Sequence, residues 1–225
     1  SEEESEEQTE NDAKPLREWK GKGKLGGIDQ APMGSYLVTG GAAVSVWDSQ
    51  SEKNTPVNTK FIPDILSVAF QPLSDNTLGL TTKAGFMSLF DVRTGDIGTS
   101  FTLPRNGKGL QVYKWKWSPS KEHEFIVASH SGCVYTFDKR RTTMHSTVYK
   151  AEKAASLSPV LDVAFSSDGH KLVTADKANI IRMYEVGHDE PIACTRNVQL
   201  SGIPSVVWTE PSMMDDGDMK VVAAW

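Results

Sequence analysis

Residues 65–104 read ILSVAFQPLSDNTLGLTTKAGFMSLFDVRTGDIGTSFTLP, and this stretch decides the fold prediction. It contains four short apolar runs separated by turns rich in Gly, Pro, Asn and Asp, which predicts four consecutive β-strands. In the first run, Leu66, Val68 and Phe70 alternate with small residues, the period-two pattern of a strand. Phe70 and Phe90 close the first and the third run, so each aromatic residue marks a fixed position in the unit.

Both aromatic positions recur along the chain at nearly constant intervals. The first aromatic series is spaced by 43, 47 and 47 residues and consists of Trp47, Phe90, Phe137 and Tyr184. The second aromatic series is spaced by 47, 48 and 43 residues and consists of Phe70, Trp117, Phe165 and Trp208. Two interleaved aromatic series at this period predict an all-β protein built from four-stranded WD40 β-propeller blades.

The repeat also predicts the domain organisation. An acidic disordered linker covers residues 1–14, and a partial propeller follows, with blades at 15–61, 62–104, 105–153, 154–200 and, incomplete, 201–225. About four complete blades and part of a fifth leave two sheet edges unpaired, and such edges promote aggregation. Because a seven-bladed ring needs roughly 300 residues, we expect the chain to be a portion of such a ring.

Charge is distributed unevenly along the chain. The formal net charge is −5, but residues 1–12, SEEESEEQTEND, hold seven of the 29 acidic residues and no basic one. A self-repelling run without apolar residues is expected to be disordered. The sequence shows no apolar run of membrane-spanning length and no signal peptide, so we expect no membrane partner and an intracellular location.

Reactive groups are scattered rather than clustered. The five histidines lack metal-ligand spacing, and Cys133 and Cys194 are isolated, which predicts neither a metal site nor a disulfide. The glycine-rich run at 21–27 lacks the order of a phosphate-binding loop. We therefore predict no catalytic, cofactor-binding or metal-binding residues, no cofactor and no small-molecule substrate, and a protein that is not an enzyme but a binding platform.

Basic residues are the candidates for contacts with a protein partner or with RNA phosphates. They are Lys22, Lys24, Lys116, Lys139, Arg140 and Arg141. Solvated loop charge is the alternative, because the chain after residue 12 has only 24 basic against 22 acidic residues. The run 113–117, YKWKW, interleaves aromatic residues with lysines and could stack bases, but its aromatic residues have the phase of a blade core. Lys116 departs from the pattern, since Ala69 and Ala164 hold the corresponding position, and could line the central channel or meet a partner.

Several strings in this order resemble one WD-repeat family. They are PLREW at 15–19, GID at 27–29, VTGG at 38–41, VWD at 46–48, LFDVR at 89–93 and VYTFD at 134–138. The chain is similar in these strings to the suppressor-of-fibrillarin-like proteins. The resemblance implies a non-catalytic scaffold in the nucleus and nucleolus, within the small-subunit processome that processes pre-ribosomal RNA. It also implies processome proteins as partners, with structured pre-rRNA or snoRNA as further candidates.

A second function remains open from the same residues. Phe90-Asp91-Val92-Arg93 and Phe137-Asp138-Lys139-Arg140 look like the aromatic-Asp-x-Arg box with which some WD40 proteins dock on the adaptor of a cullin-RING ubiquitin ligase. In such a substrate receptor, Asp91, Arg93, Asp138 and Arg140 would face the adaptor, the arginines through charge-assisted contacts. Alternatively, these side chains only satisfy backbone groups in the turn after the strand.

Overall fold

The computed structural model describes residues 18, 23–53, 55–103, 111–141, 145–150, 158–195, 205–209 and 220–224. Every regular element in this part of the chain is a β-strand, and there are eighteen of them. The segment predicted to be an acidic linker, residues 1–14, lies outside the described residues, as does Lys22. None of the described segments forms a helix long and apolar enough to cross a membrane.

The strands form four antiparallel four-stranded sheets, here called blades 1 to 4, and one strand pair. Blade 1 contains β1 (Gly27–Gln30), β2 (Tyr36–Gly40), β3 (Ala43–Asp48) and β4 (Asn58–Phe61). Blade 2 contains β5 (Ile65–Phe70), β6 (Thr77–Thr82), β7 (Met87–Asp91) and β8 (Asp96–Phe101). Blade 3 contains β9 (Val112–Trp117), β10 (Glu124–Ser129), β11 (Cys133–Asp138) and β12 (His145–Lys150). Blade 4 contains β13 (Val160–Phe165), β14 (Lys171–Asp176), β15 (Ile181–Glu185) and β16 (Pro191–Thr195), and the strand pair is β17 (Ser205–Thr209) with β18 (Lys220–Ala224).

The first strand of each sheet lies innermost. Strand β1 contacts β5, β5 contacts β9, β9 contacts β13, and β13 contacts β17. These five strands form what we call the inner wall. Because strands within a blade are antiparallel and in chain order, the inner strands begin at one face, the upper face, where the turns between second and third strands also lie. They end at the opposite lower face, where the first-to-second and third-to-fourth turns lie.

The first aromatic series forms the centre of the blade packing. Trp47, Phe90, Phe137 and Tyr184 are 2%, 0%, 1% and 2% exposed. Phe90 packs in the apolar cluster between blades 1 and 2, Phe137 in the next, and Tyr184 in the one after it. The prediction of an all-β chain of WD40 propeller blades is therefore confirmed.

Trp47 of the first aromatic series has a hydrogen-bond partner on the neighbouring strand. In the blades where phenylalanine takes the place of the tryptophan, the partner residue is also replaced. The residue two positions beyond each cross-strand partner is, in blade order, Thr39, Leu80, Val127 and Thr174. The Trp47 indole N–H donates to Thr39 Oγ1 at 3.0 Å. Burial raises the pKa of Tyr184 to about 12, against the lowering effects of Arg182 and of a hydrogen bond from Thr174. In the two phenylalanine blades the facing residue is aliphatic, so no buried polar group at this position loses its partner.

Candidate partner-binding surfaces

The aromatic-Asp-x-Arg box of blade 2 lies in a lower-face turn after β7. Asp91 Oδ1 accepts the backbone N–H groups of Arg93 at 2.8 Å and Thr94 at 3.2 Å. Asp91 therefore holds the turn, which closes with Gly95 at φ 74°. The Arg93 side chain is exposed and forms no ion pair with any described residue. None of its five N–H donors bonds to a described residue, so they can serve an external acceptor.

The corresponding box of blade 3 is internally neutralised. Arg140 Nε lies 2.9 Å from Asp138 Oδ1, and Arg140 Nη2 lies 2.5 Å from Asp138 Oδ2. This bidentate hydrogen-bonded pair lowers the pKa of Asp138 to about 2. An acceptor that approaches Arg140 must compete with the carboxylate already bound to it, so the two boxes differ in what they offer a partner.

The other predicted basic residues do not form one continuous positive patch. Lys139 Nζ lies 3.8 Å from Glu122 Oε1 on the neighbouring lower-face turn. Arg141 is exposed, and its backbone N–H donates to the Asp138 carbonyl at 2.8 Å. Lys24 is also exposed, but it precedes β1 and therefore lies at the upper face, away from Lys139 and Arg141. The sequence could not show the pairing of Lys139 with Glu122, because Glu122 lies in a different turn of the chain.

Lys114 on the inner wall pairs with a buried aspartate that the sequence analysis did not single out. Asp162 Oδ1 lies 3.5 Å from Lys114 Nζ, and the Asp162 side chain is only 7% exposed. Asp162 Oδ2 accepts the Ser205 hydroxyl at 2.7 Å and the Val206 backbone N–H at 3.0 Å. Asp162 thus joins β9, β13 and β17. An aspartate inside the apolar run VLDVAF was the one signal in the sequence.

Lys116 occupies the inner-wall position that pairing gives to Asp29 in blade 1 and Ala69 in blade 2. Burial raises the pKa of Asp29, although the Phe70 N–H bond at 2.7 Å and the charges of Lys116 and Lys114 lower it. Lys116 itself is exposed and makes no ion pair with a described residue. The run around it belongs to the core, as predicted, since Trp115 is fully buried and Trp117 is 6% exposed.

Among the described residues, no group of three or more His, Cys, Asp or Glu side chains is placed to hold a metal ion. Cys133 is buried and Cys194 is exposed, and both are free thiols. The expectation that the protein is not an enzyme stays a prediction. What the described surface offers is a set of charged groups on a rigid sheet scaffold, which is suited to binding.

Comparison with known proteins shows which proteins the chain resembles. No family model matches the chain. Protein SOF1 of Saccharomyces cerevisiae is 26% identical over 186 residues, which cover 82% of this chain and 36% of that protein. DDB1- and CUL4-associated factor 13 of Danio rerio is 25% identical over 215 residues, or 94% of this chain and 46% of that protein. The resemblance to the suppressor-of-fibrillarin-like WD40 proteins is confirmed.

The chain spans less than half the length of both of these relatives. A third relative has a different name: the Peroxisomal targeting signal 2 receptor of Schizosaccharomyces pombe is 24% identical over 95% of this chain and 67% of that protein. Blade sequence similarity therefore extends across proteins with different names. We therefore expect the residues that distinguish the functions of such proteins to lie in the turns and the inner wall rather than in the blade cores.

Proposed function

We propose that this chain is a non-catalytic WD40 scaffold in ribosome biogenesis, acting in the nucleolus within the small-subunit processome that processes pre-rRNA. The observation that carries the proposal is the similarity to Protein SOF1 along 82% of the chain, together with the family strings in the turns and strands. The partners are processome proteins, with structured pre-rRNA or snoRNA as further candidates.

The ion pairs of Lys139 and Arg140 at the lower face favour protein over RNA as the contact of these two residues. Lys139 and Arg140 each have a carboxylate within 4 Å, at 3.8 and 2.5 Å. A phosphate would have to displace these carboxylates or be repelled by them, whereas a protein partner can bring complementary charges of both signs. Phosphate contacts are better suited to Lys24 and Arg141, which are exposed.

The test is purification of the tagged full-length protein from its own cells at moderate salt, followed by identification of co-purifying RNA and protein. Pre-rRNA and processome proteins should be enriched over a tagged, unrelated WD40 protein, and depletion of the protein should cause pre-rRNA precursors to accumulate. If neither enrichment nor accumulation occurs, the proposal is wrong. Raising the salt concentration separates the contacts, since contacts with phosphates weaken steeply with salt.

A second candidate function is that of a substrate receptor on a cullin-RING ubiquitin ligase. Two observations favour it. Relatives from three vertebrates are named DDB1- and CUL4-associated factor 13, and the Arg93 guanidinium is exposed without an ion pair among the described residues. The two boxes differ in the structure. The Arg140 guanidinium is bound to Asp138, whereas the Arg93 guanidinium makes no ion pair with a described residue. We therefore assign the adaptor contact mainly to Arg93.

Single substitutions test this assignment. Arg93→Ala should weaken binding of the purified ligase adaptor by about 10-fold or more, as expected when a charge-assisted hydrogen bond is lost. Arg140→Ala should weaken binding less, and Lys53→Ala, in the equivalent turn of blade 1, should not change it. Equal losses for Arg93→Ala and Arg140→Ala would refute the distinction between the boxes. Wild-type affinity in both would remove the ligase hypothesis while leaving the processome proposal intact.

A further inference from the structure

A cleft of about 320 Å³ opens where the inner strands β9, β13 and β17 end at the lower face. Three partly or fully buried aromatic side chains border it, from Trp117, Phe165 and Trp208. Val207, which is 58% exposed, adds an aliphatic surface. Lys116 and Ser167 also line the cleft. The described residues that line it therefore combine apolar surface with a single cation and include no carboxylate.

Most polar groups at this cleft already have partners. The indole N–H of Trp117 donates to the Ala69 carbonyl at 3.0 Å, and that of Trp208 donates to the Ala164 carbonyl at 3.1 Å. These two bonds join neighbouring blades and fix the orientation of both indoles. The Lys116 ammonium and the Ser167 hydroxyl have no hydrogen-bond partner among the described residues. A ligand would therefore be oriented mainly by Lys116.

The neighbouring Lys114 differs from Lys116 because it has an ion-pair partner. Lys114 lies two residues away on the same strand, and its ammonium is 3.5 Å from the buried carboxylate of Asp162. Lys114 is thus committed to holding blades together. Lys116 is exposed and borders the cleft, and the equivalent inner-strand position in blade 4 is Ala164. A lysine at this position is not required by blade packing.

The burial of Trp117 argues against base stacking on that ring. Trp117 is 6% exposed, and its ring packs against Trp115 and Phe125 at centroid distances of 5.6 and 5.3 Å. Its face is therefore closed to a nucleobase, which needs an open aromatic face for stacking. An aliphatic or aromatic side chain can instead cover the edges of the rings and Val207. The cation and the apolar surface together fit a carboxylate next to an apolar side chain.

We propose that this cleft binds an extended acidic segment of a partner protein, in which a glutamate or aspartate contacts Lys116 and an adjacent apolar residue packs on Val207 and Trp208. The carboxylate complements the one cation among the described lining residues, and the ammonium–carboxylate contact is charge-assisted. This binding site is separate from the lower-face turns that carry Arg93 and Arg140. It is independent of whether the partner belongs to the processome or to a ligase.

The experiment measures binding of fluorescein-labelled ten-residue peptides to the purified protein by fluorescence anisotropy. In one set, a glutamate precedes Leu, Ile, Phe or Met within a Gly-Ser sequence, and in the matched set lysine replaces the glutamate. We expect binding from the glutamate set only. Lys116→Met should weaken it by about 10-fold, the loss of one charge-assisted contact, with an unchanged urea midpoint because the side chain is exposed.

A matched pair of variants tests the location of the site. Val207→Glu places a like charge in the cleft and should abolish binding, whereas Ile192→Glu on β16 should not, although the two aliphatic side chains are similarly exposed at 58% and 56%. The proposal is overturned if no glutamate peptide binds, if the lysine set binds equally, or if Lys116→Met binds like wild type. A labelled uridine decamer that binds in place of the peptides and loses affinity in Lys116→Met would assign the cleft to RNA instead.

Discussion

Gly79 on β6 makes room for the central tryptophan of the next blade, and replacing it with alanine should destabilise the protein. A Cβ atom at this position would lie 2.1 Å from Trp115 Cε2 and 2.5 Å from Trp115 Nε1. Favourable carbon–carbon contacts need about 3.5–4.0 Å, so the indole would have to move by more than an ångström. It has no space behind it, because Trp115 stacks on Phe125 at a centroid distance of 3.9 Å. Phe125 in turn stacks on Phe137 at 5.3 Å.

The magnitude follows from two opposing effects. Overpacking a well-filled core costs about 1–3 kcal/mol, while replacing glycine by alanine in a strand recovers about 0.5–1 kcal/mol of backbone entropy. Since the rings behind Trp115 cannot retreat, we expect Gly79→Ala to lower the free energy of unfolding by about 2 kcal/mol. Urea titration followed by tryptophan fluorescence should show a lower midpoint with an unchanged slope.

Gly98 provides the matched control. It lies on the exposed strand β8, and an added Cβ would have its nearest neighbour, the Leu89 carbonyl oxygen, at 3.7 Å. Gly98→Ala should therefore be neutral or slightly stabilising. Trp115→Phe removes atoms from the clash, and the Trp115 N–H that is lost has no hydrogen-bond partner among the described residues. The double variant Gly79→Ala with Trp115→Phe should therefore lose less free energy of unfolding than the two single variants combined. Equal midpoints for Gly79→Ala and Gly98→Ala would refute the packing argument.

Two further predictions concern hydrogen bonds that the structure places in single blades. Thr39→Val leaves the buried Trp47 indole N–H without its acceptor and should lower the free energy of unfolding by about 1–3 kcal/mol; adding Trp47→Phe should cost less than the two separate changes combined, because the double variant reproduces the phenylalanine–valine pair of blade 3. The bidentate pair at Asp138 should stabilise the protein above the unfolded pKa of aspartate, near pH 4, and its contribution should disappear as the pH falls to about 2. Asp138→Asn should flatten the dependence of the unfolding midpoint on pH in that window, and a dependence identical to that of wild type would show that the pair contributes nothing.

The sequence predicted the blades because their signal is periodic. Phe90 and Phe137 recur at blade spacing, and a strand-forming aromatic residue at a fixed phase is buried whatever its neighbours are. Gly79 carried no such signal, since its requirement comes from Trp115, which is 36 residues away in the sequence and in the next blade. Local sequence pattern therefore predicts which strands form. The close approach between blades depends instead on pairs of residues that are far apart in the sequence.

The sequence predicted which charged residues the candidate surfaces contain, but not which of them form ion pairs. Sequence identified Arg93 and Arg140 as equivalent members of two similar boxes. In both boxes the aspartate accepts the backbone N–H of the arginine, but only the Arg140 guanidinium also binds its aspartate. The difference depends on side-chain rotamers in two turns of nearly the same sequence. It also explains why counting basic residues overstates the positive surface, since Lys139 is likewise offset by Glu122.

Three of the exposed cations that make no ion pair with a described residue lie at separate places. Lys24 is at the upper face, Arg93 is in a lower-face turn, and Lys116 borders the inner-wall cleft. An unpaired exposed cation loses no internal contact on binding, so partners should select these groups before Arg140 or Lys139. Because the three positions do not share a turn or a strand, a scaffold built this way can hold several partners at once. Under this proposal, a processome contact and a ligase-adaptor contact would not compete for one surface, and Arg93→Ala should weaken the adaptor while leaving Lys116-dependent peptide binding unchanged.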